Sequence, residues 1–450
     1  MSDSQFIHSQ DQLKQLARDV LRIALETGGS DASVDFSEGS GLSVSVRKGK
    51  IETIEQNKDK GMGVTVYIGK KRGNASSSDF SESALRATVE AAYNIARFTA
   101  EDDCAGLPEA DLLEMAPRDL RLCYPWTITS EEAVVLAQRA EAAAFAVDKK
   151  ITNSEGAGVQ VQQSHFISAN SRGFIGGYPY SRHTISVSPI AGKGGNMQRD
   201  GWYSSTRNPQ KLAKPEDVGR YAAERALSRL SARKLTTRKC PVLFEAPLAA
   251  GLLGAFVQAV SGGALYRKST FLLDSMGTQV FPSHIQILED PYIIGGAGSS
   301  PFDGEGVKTQ RREVIKDGVV QGYFLSMYSA RKLGMQTTGN AGGSHNLVLT
   351  SKLTKRSDNF KAMLKKMGTG LLVTELMGQG TNFVTGDYSR GASGFWVENG
   401  VIAYPVEEIT IAGNMKDIFQ QIVAVGTDTL VRGSKQTGSI LIEQMMVAGG

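Results

Sequence analysis

The chain has 450 residues, of which 41% are hydrophobic and 21% charged, so it carries enough apolar material for more than one core. Fifty Lys and Arg against 46 Asp and Glu leave a formal net charge of +4, too evenly mixed to predict nucleic-acid binding. Three cysteines, Cys104, Cys123 and Cys240, are too few for a disulfide framework and lack zinc-knuckle spacing. They indicate a reducing compartment, and we expect a cytoplasmic protein.

The sequence predicts neither export nor a membrane anchor. The first twelve residues are polar and acidic, and they lack the basic start and apolar stretch of a signal peptide. Residues 246–266 carry no charge, a length that approaches a bilayer span, but glycines and polar residues dilute their apolarity. A single internal helix of the C-terminal half is the better interpretation of this stretch.

Residues 1–125 predict a compact unit of helix, strand meander and helix. The first helix is indicated by apolar residues at helical spacing: Leu13, Leu16, Val20, Ile23 and Ala24. Apolar and polar residues alternate over 42–47 and 64–68, as in half-buried strands. The links around Gly49 and in the sequence NKDKG before Met62 contain residues that tight reversals use. A second helix is expected over about 81–98.

Residues 126–236 predict a second part of the same N-terminal half. Thr129 and Glu132 match a capping box that opens an Ala-rich helix ending near residue 148. Residues 152–206 have no helical period and predict further strands and hairpins. Pro215 fits the first turn of a helix that continues to about residue 230. We therefore interpret residues 1–236 as an α/β domain with subparts 1–125 and 126–236.

A basic, proline-marked join at residues 232–241 separates this half from a C-terminal domain, residues 237–450. The chain holds 50 glycines, and the second half is rich in strand patterns and turn signals. The tripeptides KDG at 316–318 and ENG at 398–400 each lie between apolar runs and predict hairpins. The predicted fold class is α+β, with an antiparallel meander and flanking helices first and a β-rich half second.

Familiar catalytic motifs are absent from the sequence. None of the five histidines is followed by glutamate, so an HExxH zinc helix cannot be written. No G-x-S-x-G elbow or phosphate-binding loop occurs, and the glycines of GMGVTV at residue 61 are interpreted as a turn. The residues alone therefore predict no catalytic group and no metal site in this chain.

Three glycine-polar segments in the second half are unusual: residues 299–307, 337–346 and 377–400. They are typical either of solvated surface hairpins or of a cleft whose strand edges pair with an extended peptide. The group at Asp387, Tyr388, Ser389 and Arg390 combines aromatic and basic character. We predict peptide or subunit contact there.

These segments also carry a resemblance to a known family. YRKSTFLLDSMG, SSPFDGEGV, GTGLLVTELMGQG, GDYSRGASGFWVENG and EEITIAGN occur in order at residues 266–277, 299–307, 368–380, 386–400 and 407–414. They are similar to the PmbA/TldE branch of the TldD/PmbA family, historically named modulators of DNA gyrase. The similarity continues through SSSDFS near Ser76 and LSRLSARKL near Leu227. Several phrases in register are more specific than any single short motif.

The resemblance implies a cytoplasmic proteolytic system in which a TldD-type zinc subunit associates with a TldE-type subunit. The zinc subunit carries an HExxxH motif on a helix and a cysteine near its C-terminus. In this chain Glu245 and Ala250 stand at the two histidine positions and Ala246 at the glutamate position, and no cysteine follows Cys240. The resemblance therefore implies no zinc in this chain and zinc in the TldD-type partner.

The expected function is that of the zinc-free subunit of a TldD/TldE-type metalloprotease. Its substrates would be unfolded or extended peptides, such as a CcdA-type antitoxin and microcin leaders. A homodimer in the partner's absence is left open.

Two alternatives remain at this point. One is a self-contained metalloprotease with a site built from His165, His183, His284 or His345 with carboxylates. The other is a non-enzymatic regulator linked to gyrase or to an RNA-binding regulator.

Overall fold

One antiparallel sheet runs through the whole N-terminal half. The computed structural model describes residues 6–449. The strand order is β3-β2-β1-β4-β6-β7, with β5 beside β4 and β8 beside β6. The strands are β1 (Asp31–Arg47), β2 (Lys50–Ile68), β3 (Lys71–Ser77), β4 (Ile151–Asn170), β5 (Ile175–Gly176), β6 (Pro179–Ala191), β7 (Gln198–Arg199) and β8 (Trp202–Thr206).

Four helices pack on this sheet and make two cores. The helices α1 (Gln10–Glu26) and α2 (Glu82–Phe98) bury residues such as Leu13 and Val89 against β1 and β2. The helices α3 (Ser130–Phe145) and α4 (Pro215–Ser228) cover β4 and β6 in the same way. All four helices are present as predicted, and burying their apolar faces supplies the main stabilisation of this half.

The packing of α3 against α4 requires glycine at one position. A Cβ atom added to Gly219 would lie 1.9 Å from the Ala140 carbonyl oxygen, so the two backbones approach too closely for a side chain. The predicted capping box of α3 is confirmed. Thr129 Oγ1 accepts from the Glu132 N–H at 3.2 Å, and Glu132 Oε2 accepts from the Thr129 N–H at 2.9 Å.

The predicted reversal in NKDKG is wrong, and Gly61 is not in a turn. β2 continues straight through this sequence because β1 supplies a backbone partner along its length, with Gly41 opposite Asn57 and Gly39 opposite Asp59. The chain reverses only at the expected Gly49 link, where Lys48 and Gly49 have φ values of 50° and 72°. Turn-forming residues here lie inside a 19-residue strand.

The C-terminal half is β-rich, as predicted. One sheet has the order β12-β11-β10-β13-β18 and another β16-β15-β14-β9-β19-β17. An additional pairing between β16 and β19 closes five strands of the second sheet into a barrel. The strands are β9 (Arg238–Phe244), β10 (Ile285–Asp290), β11 (Arg312–Lys316), β12 (Val319–Val320), β13 (Asn346–Ser351), β14 (Gly370–Met377), β15 (Asp387–Glu398), β16 (Val401–Asn414), β17 (Ile422–Val425), β18 (Lys435–Gln436) and β19 (Ile440–Ala448).

Both predicted hairpins of this half are confirmed. Asp317 and Gly318 connect β11 to β12 with φ values of 53° and 79°. Asn399 and Gly400 connect β15 to β16 with φ values of 52° and 77°. Two consecutive left-handed residues match the twist of the paired strands, which is why these tripeptides were informative.

The uncharged stretch forms two helices rather than the single one predicted. These are α5 (Ala246–Ala259) and α6 (Gly262–Tyr266). Between them the backbone pairs with Phe324, whose carbonyl accepts from the Gly262 N–H at 2.9 Å, and Ser261 Oγ caps α6. This pairing ends the first helix.

The remaining helices are short: α7 (Met327–Leu333), α8 (Phe360–Met367) and α9 (Met415–Gln420). Within residues 6–449 no helix combines the length and apolarity needed to cross a bilayer.

Candidate functional site

The three positions that the resemblance assigns to a zinc motif lie where β9 meets α5. Glu245 is the N-cap residue of α5, Ala246 is its first residue, and Ala250 lies in its second turn. Ala246 is buried and Ala250 half-buried. An alanine side chain has no atom that can coordinate a metal, so the only polar group at these positions is the Glu245 carboxylate.

That carboxylate belongs to an ion-pair network that joins the two halves of the chain. Arg225 of α4 lies between Glu245 and Asp200, with Nη1 2.7 Å from Glu245 Oε1 and Nε 3.2 Å from Asp200 Oδ2. Arg229, one turn further along α4, contacts Asp200 at 3.7 Å and pairs with Glu375 of β14. We call these five residues the arginine network.

The network is largely withdrawn from water. The side chains of Arg225, Arg229, Asp200 and Glu245 are 12–14% exposed. Charges in such surroundings are costly unless they are paired. Arg225, from the N-terminal half, therefore satisfies the Glu245 carboxylate at the start of the C-terminal half.

Aromatic rings extend the network on one side. The Arg432 guanidinium carbon lies 3.7 Å from the Trp202 ring centre and 3.9 Å from that of Tyr203. Arg225 lies 5.1 Å from the same Trp202 ring. Trp202 thus contacts two guanidinium groups, an arrangement in which the ring quadrupoles favour the cations. These contacts hold the segment before β18 over β8, which pairs with β6.

Burial and pairing act on the network in opposite directions. Burial opposes the charged form of Arg225, but Glu245 and Asp200 outweigh it and raise the pKa of its guanidinium. Burial raises the pKa of the Glu245 carboxyl, and Arg225 offsets only part of that effect. The stability of Glu245 as an anion therefore depends on Arg225.

These residues do not fit a zinc centre. A protein zinc site uses three or four Cys, His, Asp or Glu ligands, whereas here one carboxylate faces a guanidinium. No cluster of three His, Cys, Asp or Glu side chains arranged for a metal occurs between residues 6 and 449. A fixed positive charge beside Glu245 also disfavours a second cation at that carboxylate.

The four histidines of the self-contained alternative lie apart and have other partners. His165 contacts the Glu38 carboxylate at 3.3 Å, and His183 Nε2 lies 2.9 Å from the Tyr124 carbonyl oxygen. His284 contacts Ser351 and the Ile422 carbonyl, and His345 contacts Glu289. The structure does not bring these side chains together into one site.

Two of the three glycine-polar segments are ordered by buried carboxylates. Asp303 accepts hydrogen bonds from the N–H groups of Glu305, Val307 and Ala341 at 2.9 to 3.0 Å. It thereby ties residues 299–307 to residues 337–346. These segments are not loosely solvated hairpins, because their backbone amides are used to hold one another in place.

The second carboxylate is that of Glu289 on β10. It accepts from Arg312 Nε at 2.7 Å, from Asn340 Nδ2 at 2.8 Å and from the His345 N–H at 2.8 Å. Burial alone would raise the pKa of Glu289, but the His345 hydrogen bonds and the Arg312 charge lower it to about 2. Glu289 is therefore a charged structural centre under the glycine-polar segments.

The predicted contact group is divided between the surface and the core. Asp387 and Ser389 are exposed on β15, whereas the Tyr388 ring is buried in the C-terminal core, and burial raises its pKa to about 12. The Arg390 Nε atom is buried without a hydrogen-bond partner. Asp387 and Ser389 are thus the exposed members of this group and Arg390 is half-buried, and the contact function predicted for the four residues stays a prediction.

Sequence reasoning missed the arginine network itself. Arg225, Asp200 and Glu375 are far apart in the chain and follow no short motif. The one available signal was Trp202–Tyr203, an aromatic pair beside Asp200 in a hairpin. That signal indicates a contact surface, but it does not identify which charges meet there.

Family models match almost the whole chain. The PmbA/TldA metallopeptidase domain 1 matches residues 32–96, the central domain residues 123–230 and the C-terminal domain residues 237–449. The chain belongs to the PmbA/TldD metallopeptidase family. Glu245, Ala246 and Ala250 therefore lie near the start of the family's C-terminal domain, and Arg225 near the end of its central domain.

Curated relatives place the chain on the PmbA side of this family. Metalloprotease PmbA of Escherichia coli O157:H7 is 48% identical, with 97% of each chain covered. The Metalloprotease PmbA homolog of Haemophilus influenzae is 45% identical over 98% of this chain and 97% of that protein. The Metalloprotease TldD homolog of the same organism is 24% identical over 82% of this chain and 79% of that protein.

Solved structures share the fold. A Bacteroides thetaiotaomicron protein described as a modulator of DNA gyrase is 25% identical, covers 99% of this chain and 100% of its own, and has a TM-score of 0.92. TldE from Thermococcus kodakarensis has a TM-score of 0.84 at 19% identity, and the match covers 96% of this chain and 100% of TldE. The latter likeness concerns the fold alone.

Proposed function

We propose that this chain is the zinc-free subunit of a cytoplasmic, heteromeric metallopeptidase of the TldD/TldE type. In this proposal a TldD-type partner holds the zinc ion and activates the water molecule. The present chain completes the enclosed cavity, stabilises the partner and helps to admit unfolded or extended peptides. Substrates of the CcdA-antitoxin and microcin-leader kind belong to the same proposal.

One observation carries the proposal: the zinc-motif positions hold Glu245, Ala246 and Ala250, and the carboxylate is paired with Arg225 at 2.7 Å. A catalytic zinc site needs three protein ligands and an open position for water. Here an arginine fills the space beside the first motif position. A family member built in this way is better suited to support a catalytic subunit than to act alone.

A role in peptide contact is proposed for the exposed part of β15. Asp387 and Ser389 lie at the start of that strand, where Asp387 Oδ2 accepts from Thr385 Oγ1 at 2.7 Å. The β16 backbone pairs with one side of this part of β15 and residues 380–382 with the other, so the contact would be made by the two side chains and not by main-chain pairing. Replacing Asp387 and Ser389 with alanine should reduce cleavage by the assembled complex and leave the fold intact.

The decisive experiment compares the pure chain with the chain mixed with a TldD-type subunit. We expect the pure chain to contain no stoichiometric zinc by elemental analysis and to cleave no unfolded reporter peptide. Adding the zinc subunit should produce cleavage that depends on both proteins. One tightly bound zinc and peptide cleavage in the pure chain would overturn the proposal.

The Asp387→Ala/Ser389→Ala variant provides a second measurement in the same assay. Its matched control is Glu224→Ala, which alters an exposed acidic side chain on α4. Slower cleavage with the first variant alone would support contact by β15. Equal cleavage rates for the two variants would exclude a contact role for β15. The proposal that this chain is a zinc-free subunit would then be tested by the zinc analysis alone.

A further inference from the structure

A cavity of about 250 Å³ lies between the N-terminal sheet and two of the glycine-polar segments. Its floor is the sheet face opposite to α1, where the side chains of Asp35 on β1 and Ser168 on β4 lie side by side. Residues 302–304 and 341–345 form the facing wall. We call it the Asp35 cavity. It joins the two halves of the chain and shares no residue with the arginine network.

Of the three carboxylates on β1, only that of Asp35 lacks a basic partner among residues 6–449. Asp31 pairs with Arg172 at 3.1 Å, and Glu38 contacts His165 at 3.3 Å. Asp35 is exposed through the cavity mouth, yet the surrounding atoms are close enough that burial raises the pKa of its carboxyl. A serine hydroxyl of β4 offsets part of this effect, and no positive charge does.

Aromatic rings form the side of the cavity next to this carboxylate. The rings of Phe166, Tyr178 and Phe302 line it, with their centres 4.8 to 6.1 Å from one another. Ring faces attract cations through their quadrupoles, and their apolar surface suits the methylene groups that carry an amine. A carboxylate without a counter-ion beside such rings is therefore arranged for an organic cation.

We infer that the Asp35 cavity binds a primary ammonium group of a peptide, with Asp35 as its counter-ion. Such a group has three N–H donors, and the Asp35 carboxylate and the Ser168 hydroxyl can accept two of them. Ser300 Oγ donates to the Phe302 carbonyl, so the Tyr178 hydroxyl donates to Ser300 at 2.8 Å and its own oxygen can accept the third. The inference names what this chain recognises in a peptide, and to that extent it rests on the proposed function.

A metal ion fits the same cavity poorly. Both oxygens of the Asp303 carboxyl already accept backbone N–H groups, and His345 Nδ1 contacts Glu289. Asp35 is then the one carboxylate left, whereas Mg²⁺ and Ca²⁺ prefer several oxygen ligands. No cluster of three metal-binding side chains occurs in the described part of the chain, residues 6–449.

The mouth of the cavity is open to a peptide. Gly304, Gly342 and Gly343 on its rim are exposed. A Cβ atom added to Gly342 or Gly343 would meet nothing within 4 Å, so no neighbouring group covers this part of the rim. Glycine lets a peptide backbone approach closely while its ammonium group enters the cavity. The ammonium can belong to a lysine side chain or to the peptide N-terminus, since the chemistry is the same.

Calorimetry of the pure chain with short peptides tests the inference. The first probe is a pentapeptide with blocked ends and one lysine between glycines. The second has norleucine in place of lysine, which keeps the methylene groups and removes the ammonium. The third is pentaglycine amide with a free N-terminus, which separates a terminal amine from a side-chain one. We expect at least one ammonium probe to bind, and the norleucine probe to bind about tenfold more weakly or not at all.

Asp35→Asn should weaken binding of the ammonium probe about tenfold. Its matched control is Asp59→Asn, an exposed aspartate on the same sheet face, which should bind the probe as the parent chain does. Urea unfolding separates a binding role from a structural one. At pH 7, Asp35→Asn should be at least as stable as the parent, because it removes a crowded charge without a counter-ion. The difference should vanish in acid, where the parent carboxyl is protonated as well.

Several results would overturn the inference. They are ammonium probes that do not bind at millimolar concentration, equal binding of the norleucine probe, unchanged binding by Asp35→Asn, and displacement of the lysine probe by Mg²⁺ alone. A marked loss of stability in Asp35→Asn at pH 7 would assign the carboxylate to the fold instead. None of these measurements involves zinc or cleavage. A chain that binds the probes but fails to support a TldD-type subunit would refute the proposed function and leave the cavity assignment intact.

Discussion

Arg225 is the residue whose removal should reveal what the arginine network does. Arg225→Met keeps a long apolar stem against Trp202 but removes the guanidinium that lies between Glu245 and Asp200. Two carboxylates with about one-seventh of their side-chain surface exposed then lose a partner. Asp200 retains Arg229 at 3.7 Å, whereas Glu245 has no other ion pair among the described residues.

The size of the effect follows from this asymmetry. Breaking a buried ion pair by deleting one partner lowers the free energy of unfolding by about 3–5 kcal/mol, chiefly because a charge is left unpaired. Since the pair is slightly exposed and Asp200 keeps a second arginine, we expect about 3 kcal/mol for Arg225→Met. The network joins the two halves of the chain, so we also expect faster proteolysis in the connecting residues 231–237.

The assay is urea unfolding of the parent and the variant across a range of pH. The control is Arg220→Met on the same helix, whose exposed pair with Asp217 should contribute at most about 0.5 kcal/mol. Burial raises the pKa of Glu245, and losing Arg225 raises it further. The free energy of unfolding of Arg225→Met should therefore fall furthest below that of the parent chain at neutral pH. The difference should shrink as the pH falls through the raised pKa of Glu245, because a protonated carboxyl needs no counter-charge. Equal unfolding free energies for the two variants would refute this account.

Three further changes test other parts of the fold by the same unfolding measurement. Glu289→Gln should lower stability by about 3 kcal/mol at pH 7, and the difference should vanish as the pH falls from 4.5 to about 2, the lowered pKa of Glu289. An unchanged acid profile would exclude Glu289 as a charged centre. Gly73→Ala should lower the free energy of unfolding by about 1–3 kcal/mol, because its Cβ would lie 2.1 Å from the Ala92 carbonyl oxygen. Its control is Gly63→Ala on the next strand, where the added Cβ meets nothing within 4 Å and should be tolerated. Equal effects would contradict the close packing of β3 on α2. Thr129→Ala should lower the free energy of unfolding by about 1 kcal/mol, because α3 loses its N-terminal cap. An unchanged free energy of unfolding would show that the cap is dispensable.

Local signals predicted most helices and hairpins of this fold. The helix at Gln10–Glu26 and the turn at Asn399–Gly400 depend on spacing and backbone preference within a few residues, which a sequence displays directly. The failures at Asn57–Gly61 and at Ser261 have the opposite origin. There a distant backbone segment, β1 in one case and Phe324 in the other, supplies hydrogen bonds that override the local preference.

The sequence identifies the positions of the candidate site but not their partners. The family resemblance implies that Glu245, Ala246 and Ala250 stand at zinc-motif positions, and that assignment stays a prediction. The sequence does not display which charges surround Glu245, because Arg225 and Asp200 meet there only through the packing of α4 and the β7–β8 segment against the C-terminal half. Long-range ion pairs leave no spacing pattern.

The two halves of that site depend on each other physically. A carboxylate at residue 245, buried at the start of α5, is stable as an anion only with a cation close by. Arg225 supplies that cation from the other half of the chain, so the ion pair can hold the two halves together in the way that a shared metal would. Histidines introduced at residues 245 and 250 would have the Arg225 guanidinium against the new metal position, where it repels a divalent cation. Arg225 would have to change with them, so a metal site and the arginine network exclude each other at this place in the fold.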